Sequence, residues 1–328
     1  MSPVRAALAI GALVAAVSAG NVGAGQVPSS GGGLEVSPDG RFVLLTRERG
    51  NRYLRSWEVW VAEASGGRAK RLRPASNRPM AATWTRTGLA SVTTEGTRYI
   101  LRPTDGALVT QMPAPAGQEV QAPDGGRVAR VRGDTLYLGS VDDVGKPVVR
   151  ARGFRGLCWS SDSSRLAYVL ELGRGRAALE VVRADGTDRR RLYAASVLGC
   201  GSWSPHGRSL AFGAQHDRTR YQPPHVYVAD ATAGHARRLT KAQAHAPVWS
   251  PRGSWIAYVR MTPTKTEDRW ELFAIRSDGR RARRLANVGW LAPHAWFPDG
   301  TRIAMCLPAG VGIVSVRGGR PRVLPIRC

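Results

Sequence analysis

Six histidines and four cysteines are the residues whose types allow catalysis or metal binding in this chain. Five of the histidines, His206, His216, His225, His235 and His245, fall within residues 206–245, and His294 follows. Neutral imidazole is a common metal ligand, so such a run raises the question of a metal centre. The cysteines, Cys158, Cys200, Cys306 and Cys328, include no C-x-x-C pair, which argues against a zinc site. Nucleophilic catalysis finds no G-x-S-x-G elbow. Phosphate and dinucleotide binding find neither a P-loop nor a G-x-G-x-x-G between a strand and a helix. The sequence therefore nominates no catalytic residue, no metal ligand set and no cofactor.

What these residues can do depends on the elements that carry them, and those elements repeat. One turn recurs as Ser37-Pro38-Asp39-Gly40, Trp84-Thr85-Arg86-Thr87-Gly88, Ala122-Pro123-Asp124-Gly125 and Trp159-Ser160-Ser161-Asp162-Ser163. It continues as Trp203-Ser204-Pro205-His206-Gly207, Trp249-Ser250-Pro251-Arg252-Gly253 and Trp296-Phe297-Pro298-Asp299-Gly300. Successive turns end 48, 37, 38, 44, 46 and 47 residues apart. A period of about 40–50 residues suits a four-stranded propeller blade. Pro presets the first corner of such a turn, Asp bonds back to the backbone and Gly accepts positive φ. Each turn leads into an apolar strand such as Trp255-Ile256-Ala257-Tyr258, with a small Ala recurring at one place. A third strand, a Gly hairpin and an Arg-Leu-bearing outer strand complete the unit. The expected fold is all-β, a single propeller of seven four-stranded blades over residues 34–328. Units 78–118 and 119–156 are eroded, which leaves six blades as the alternative.

Repeat phase then sorts the candidates. The histidines at 206, 216, 225 and 235 spread from one face of a blade to the other and form no cluster. His245 and His294 both precede an inner-strand Trp, where loops converge on a funnel mouth, a usual place for ligands. Asn77, Glu119 and Arg155 hold corresponding places, so these five are the candidate ligand-binding residues. The recurrent tryptophans belong to the packing between blades. Cys158 and Cys200 precede the Trp of adjacent blades. Cys306 ends a second strand of the last blade, and Cys328 is the final residue. The expected disulfides are Cys158–Cys200 and Cys306–Cys328.

The turn, the Ile-Ala-Tyr strand and the Arg-Arg-Leu ending together resemble the repeat of the TolB-like (PD40, WD40-like) propellers, most closely over 157–300. No Trp-Asp dipeptide ends a strand, so the WD40 signature itself is absent. The resemblance implies envelope protein partners, as TolB contacts a peptidoglycan-associated lipoprotein. TolB-like proteins carry an α/β domain ahead of the propeller, and here only residues 20–33 stand in that place. The favoured reading is a non-enzymatic scaffold that binds a protein or glycan at the funnel. The alternative is a metal-dependent lyase similar to oligogalacturonate lyases, whose funnel histidines hold a divalent ion.

Residues 1–19 read as a signal peptide: Arg5, an apolar run from Ala6 to Val17 and a small-residue cleavage site. Residues 20–33 are small and polar, a flexible leader. A secreted or periplasmic location follows, in which disulfides persist. The net charge is +24, nearly all of it arginine. Those arginines are spread over every repeat, and no nucleic-acid motif accompanies them, so specific nucleic-acid binding is not expected. Attraction to anionic surfaces is expected, non-specific, with the chain a monomer.

Overall fold

The computed structural model describes residues 33–50, 55–77, 80–94, 96–113, 118–140, 142–197, 199–215, 224–263, 269–288 and 294–328. The signal peptide and all of the leader except Gly33 lie outside the described residues, as does His216. Among the described residues there are 28 strands and no helix. In chain order they form antiparallel groups of four, here sheets one to seven, over 34–76, 81–113, 118–150, 154–197, 202–238, 244–288 and 294–323. Sheets four and five are also joined to each other through Ser196 and Val197, paired with Gln215 and Ala214.

The turn between the first two strands shows why its sequence recurs. In sheet one, Ser37 Oγ donates to Asp39 Oδ1 at 2.6 Å and accepts from Phe42 N at 2.9 Å. The same hydroxyl role falls to Ser160, Ser204 and Ser250, and Thr85 takes it in the eroded second unit. Gly40 closes the turn at φ 71°. In sheet four Ser163 stands in the glycine's place at φ 59°, and its Oγ accepts from Asp124 N of sheet three at 2.8 Å. That bond offsets the cost of left-handed backbone in a residue with a Cβ. The eroded units therefore keep the turn geometry and form four-stranded sheets.

The core lies between successive sheets. Separate apolar clusters join sheets one and two, three and four, four and five, and five and six. A larger one gathers sheets six, seven and one, so the first sheet packs against the last. The recurrent alanines Ala129, Ala167, Ala211, Ala257 and Ala304 are wholly buried there, where a larger side chain would hold the sheets apart. Between sheets two and three, Arg86 donates to the Asp124 carbonyl at 2.8 Å.

The tryptophans tie neighbouring sheets by a repeated bond. The indole N–H groups of Trp159, Trp203 and Trp296 donate to the carbonyls of Val120, Cys158 and Val248, each on the preceding sheet, at 2.9–3.0 Å. Sheets one and five do the same work through a side chain instead. Glu35 Oε2 accepts from Trp84 N at 3.2 Å, and Ser202 Oγ from Trp249 N at 2.9 Å. Both expected disulfides are formed, with Cα atoms 6.1 Å apart for Cys158–Cys200 and 5.8 Å for Cys306–Cys328. Cys200 sits two residues ahead of its sheet's first strand (Ser202–Trp203), so it joins a loop to the strand that carries Cys158.

Candidate functional site

Because strands alternate in direction, the first-strand turns and the third-to-fourth-strand hairpins share one end of the molecule. The first strands begin at the other end, and the candidate residues collect there. Register makes this concrete. Arg155 pairs across its sheet with Val169 and His245 with Val259, the same rung in sheets four and six. Glu119 pairs with Arg130 and His294 with Met305, the next rung along in sheets three and seven. A bulge in each of sheets four and six absorbs an extra residue to keep this alignment. It falls at Gly156 (φ 66°) in one and at Ala246 (φ 52°) in the other.

His245 and His294 are both buried, at 8% and 2% exposed, and they interact electrostatically. Trp270 meets the His245 ring edge-on at 5.3 Å, and His245 Nε2 has no hydrogen-bond partner. Burial, reinforced by His294, lowers the His245 pKa to about 4, so the ring is neutral at physiological pH. Arg155 is exposed and pairs with Glu171 Oε1 at 3.2 Å. Glu119 accepts from Arg130 Nε at 2.7 Å, and the buried Arg130 guanidinium also donates to the Ser140 carbonyl at 2.9 Å. Asn77 follows the outer strand of sheet one and is exposed. Thus the two histidines come together, while Arg155 and Glu119 each answer a charge on their own sheet. Of the other imidazoles, His206 and His235 are exposed, and His225 is half-buried with Nδ1 3.1 Å from the Ala242 carbonyl.

Glu35 was not among the sequence candidates. It lies on the first strand of sheet one (Leu34–Val36), accepting from Thr83 Oγ1 at 2.8 Å as well as from Trp84 N. Burial, only partly offset by those two donors, pushes its carboxyl up to about 7. Its signal in the sequence is a carboxylate between two apolar residues just before the turn. Glu58, Glu180 and Glu271 on third strands were missed as well. Each is buried and gathers arginines, as Glu180 does with Arg189 at 2.7 Å and Arg191 at 3.0 Å.

The lyase alternative requires about three convergent ligands. Two imidazoles are in place, and among the described residues no group of three His, Cys, Asp or Glu side chains could hold a metal ion. The described residues therefore do not supply the ligand set that such an ion needs.

No protein-family model matches the sequence, and no curated protein matches it. Solved structures do. Hydrazine synthase of Kuenenia stuttgartiensis superposes with a TM-score of 0.57 at 15% identity, over 86% of this chain and 94% of that one. An oligogalacturonate lyase in complex with manganese gives 0.56 at 12%, over 85% and 83%. TolB of Acinetobacter baumannii gives 0.47 at 15%, over 89% of this chain and 63% of that one. Likeness at such identities is a likeness of fold: the chain is a β-propeller of the general kind that its repeat resembles.

Proposed function

We propose that this chain is an exported, non-enzymatic propeller scaffold that binds an envelope protein or glycan where its innermost strands begin. Its seven sheets are read as seven blades of one ring, with the first packed on the last. The observation that carries the reading is the alignment of Glu119, Arg155, His245 and His294 on two adjacent rungs at one end of the ring. A few polar and ionisable groups gathered at one end of the inner strands are what ligand recognition at a funnel needs. Two disulfides suit an oxidising compartment outside the cytoplasm. The second reading, a metal-dependent polysaccharide lyase, draws on the manganese-bound neighbour and on the His245–His294 pair alone.

The test is co-sedimentation with the insoluble envelope fraction of the producing cells. Arg155→Ser, which breaks only a surface pair, should reduce the bound fraction at least fivefold without changing the melting temperature of the disulfide-intact protein by more than a few degrees. Undiminished binding by that variant would remove the funnel as the site.

A further inference from the structure

We propose that the turn end of sheets six, seven and one, the opposite end from the funnel, is a second binding surface, and that its partner is an anionic glycan polymer. Charge is distributed unevenly among the outer hairpins. Residues 276–284 of sheet six hold five arginines against Asp278 alone. Residues 315–323 of sheet seven hold three arginines and no carboxylate, and residues 63–71 of sheet one hold Arg68, Lys70 and Arg71 against Glu63. By contrast, residues 140–147 of sheet three hold Asp142 and Asp143 against Lys146, and residues 102–108 of sheet two balance Arg102 with Asp105.

Part of this arginine has structural work. Lys70, Arg190, Arg237 and Arg283 each reach a backbone carbonyl in the next sheet's hairpin, those of Thr104, Thr232, Ser277 and Arg317. Arg71 and Arg284 turn to Glu58 and Glu271. What remains on sheets six, seven and one is Arg280, Arg281, Arg317, Arg320, Arg322 and Arg68, all exposed and none in an ion pair with another of the described residues. On sheet four the comparable cations are answered, Arg183 by Asp185 and Arg190 by Asp188.

The hairpins Arg183-Ala184-Asp185-Gly186-Thr187-Asp188 and Arg276-Ser277-Asp278-Gly279-Arg280-Arg281 place a non-glycine residue in left-handed backbone at the same step, Asp188 at φ 54° and Arg281 at φ 52°. Asp is a common occupant of that conformation and Arg is not. With the same turn geometry, sheet six puts an unpaired cation where sheet four puts the carboxylate that neutralises its neighbour. The hairpins are also contiguous. Arg283 bonds the Arg317 carbonyl of sheet seven, and the Arg322 guanidinium lies so close to Gly66 of sheet one that a Cβ there would collide with it.

A contiguous strip of guanidinium forks recognises carboxylate or phosphate bidentately. Because it runs along three hairpins, an extended polymer with a charge on each repeat matches it better than a small anion does. None of the three hairpins contains an aromatic residue, and the neighbouring Trp255 already has Arg276 and Arg283 over its ring at 6.0 and 5.4 Å, so no free ring is offered to a nucleobase, which favours a glycan over single-stranded nucleic acid.

The test is binding of the full-length oxidised protein to polygalacturonate and to a glycerol-phosphate polymer, at low and high salt, with neutral dextran and duplex DNA as comparators. The two anionic polymers distinguish carboxylate from phosphate as the recognised group. Arg280→Ser, Arg281→Ser and Arg320→Ser together should weaken binding to at least one of them tenfold or more. The same number of changes at the funnel end, Arg132→Ser, Arg174→Ser and Arg176→Ser, should weaken it less than twofold. The proposal fails if both triple variants lose affinity equally, since net charge alone would then explain it. It also fails if neither polymer binds at low salt, or if DNA binds more tightly than both and through the same three arginines.

Discussion

Glu35 and His245 carry opposing pH dependences, and removing one should uncover the other. His245 has a pKa of about 4 in the fold against 6.5 for the unperturbed group. The unfolded chain therefore binds the extra proton between these values, and stability is lost as pH falls from 6.5 toward 4. Glu35 is shifted the other way, to about 7 from 4.5, so the folded chain retains a proton that the unfolded one releases. Its contribution is fully present below pH 4.5 and is lost as pH rises from 4.5 toward 7. Between pH 5 and 7 each group alone changes stability by about 2 kcal/mol, in opposite senses, and together they nearly cancel. Glu35→Gln keeps the acceptor for Thr83 and Trp84 while removing the titration. Urea unfolding at pH 5, 6 and 7 should show the wild-type chain nearly level across this window. The variant should gain about 2 kcal/mol from pH 5 to 7. Carboxylates held below their usual range, such as Asp162 and Asp299, titrate below the window and do not interfere. An equally level profile for Glu35→Gln would refute the burial argument for His245.

The indole bonds give a contrast within one residue type: Trp159→Phe should cost about 1 kcal/mol more than Trp84→Phe. The Trp84 Nε1 group is buried without a hydrogen-bond partner while that of Trp159 holds the Val120 carbonyl, and chemical denaturation measures the difference. Replacing both Cys306 and Cys328 by Ser releases a loop of 22 residues. Calorimetry under non-reducing conditions should record a loss of about 3 kcal/mol, and a shift of under one degree would show that the cross-link adds nothing. Gly201→Ala should cost more than about 2 kcal/mol, since its Cβ would meet the Ala211 carbonyl oxygen in left-handed backbone. Gly88→Ala, where the Cβ meets nothing, should cost about 1 kcal/mol in the same unfolding assay.

Much of the fold was legible because its signals are local. Ser37, Pro38, Asp39 and Gly40 each do within four residues what a turn needs, so their recurrence marked the sheets, and phase then paired the cysteines. The eroded second unit was harder to read because Thr85 performs the turn's hydroxyl role with a different side chain, as Ser163 performs the glycine's in sheet four. Partners from distant sequence were not legible. Nothing in the sequence around Arg130 tells that its guanidinium is buried against Glu119. Likewise, Arg190 and Arg283 look like solvated charge until the neighbouring sheet's carbonyl is seen. Repeat phase places the candidate residues near the start of the first strands but does not give their depth: His245 and His294 are buried, which strand phase alone does not specify. Glu35 escaped because it stands one residue nearer its turn than Glu119 does, out of phase with the nominated positions.

The central claim, recognition without catalysis, is tested most directly by one incubation of manganese-loaded protein with oligogalacturonate. The ultraviolet absorbance of the unsaturated uronate product would be followed, and bound metal per chain measured by native mass spectrometry. The account predicts no stoichiometric manganese and no unsaturated product. One manganese per chain with steady product formation, lost in His245→Ala, would contradict it and establish the lyase reading.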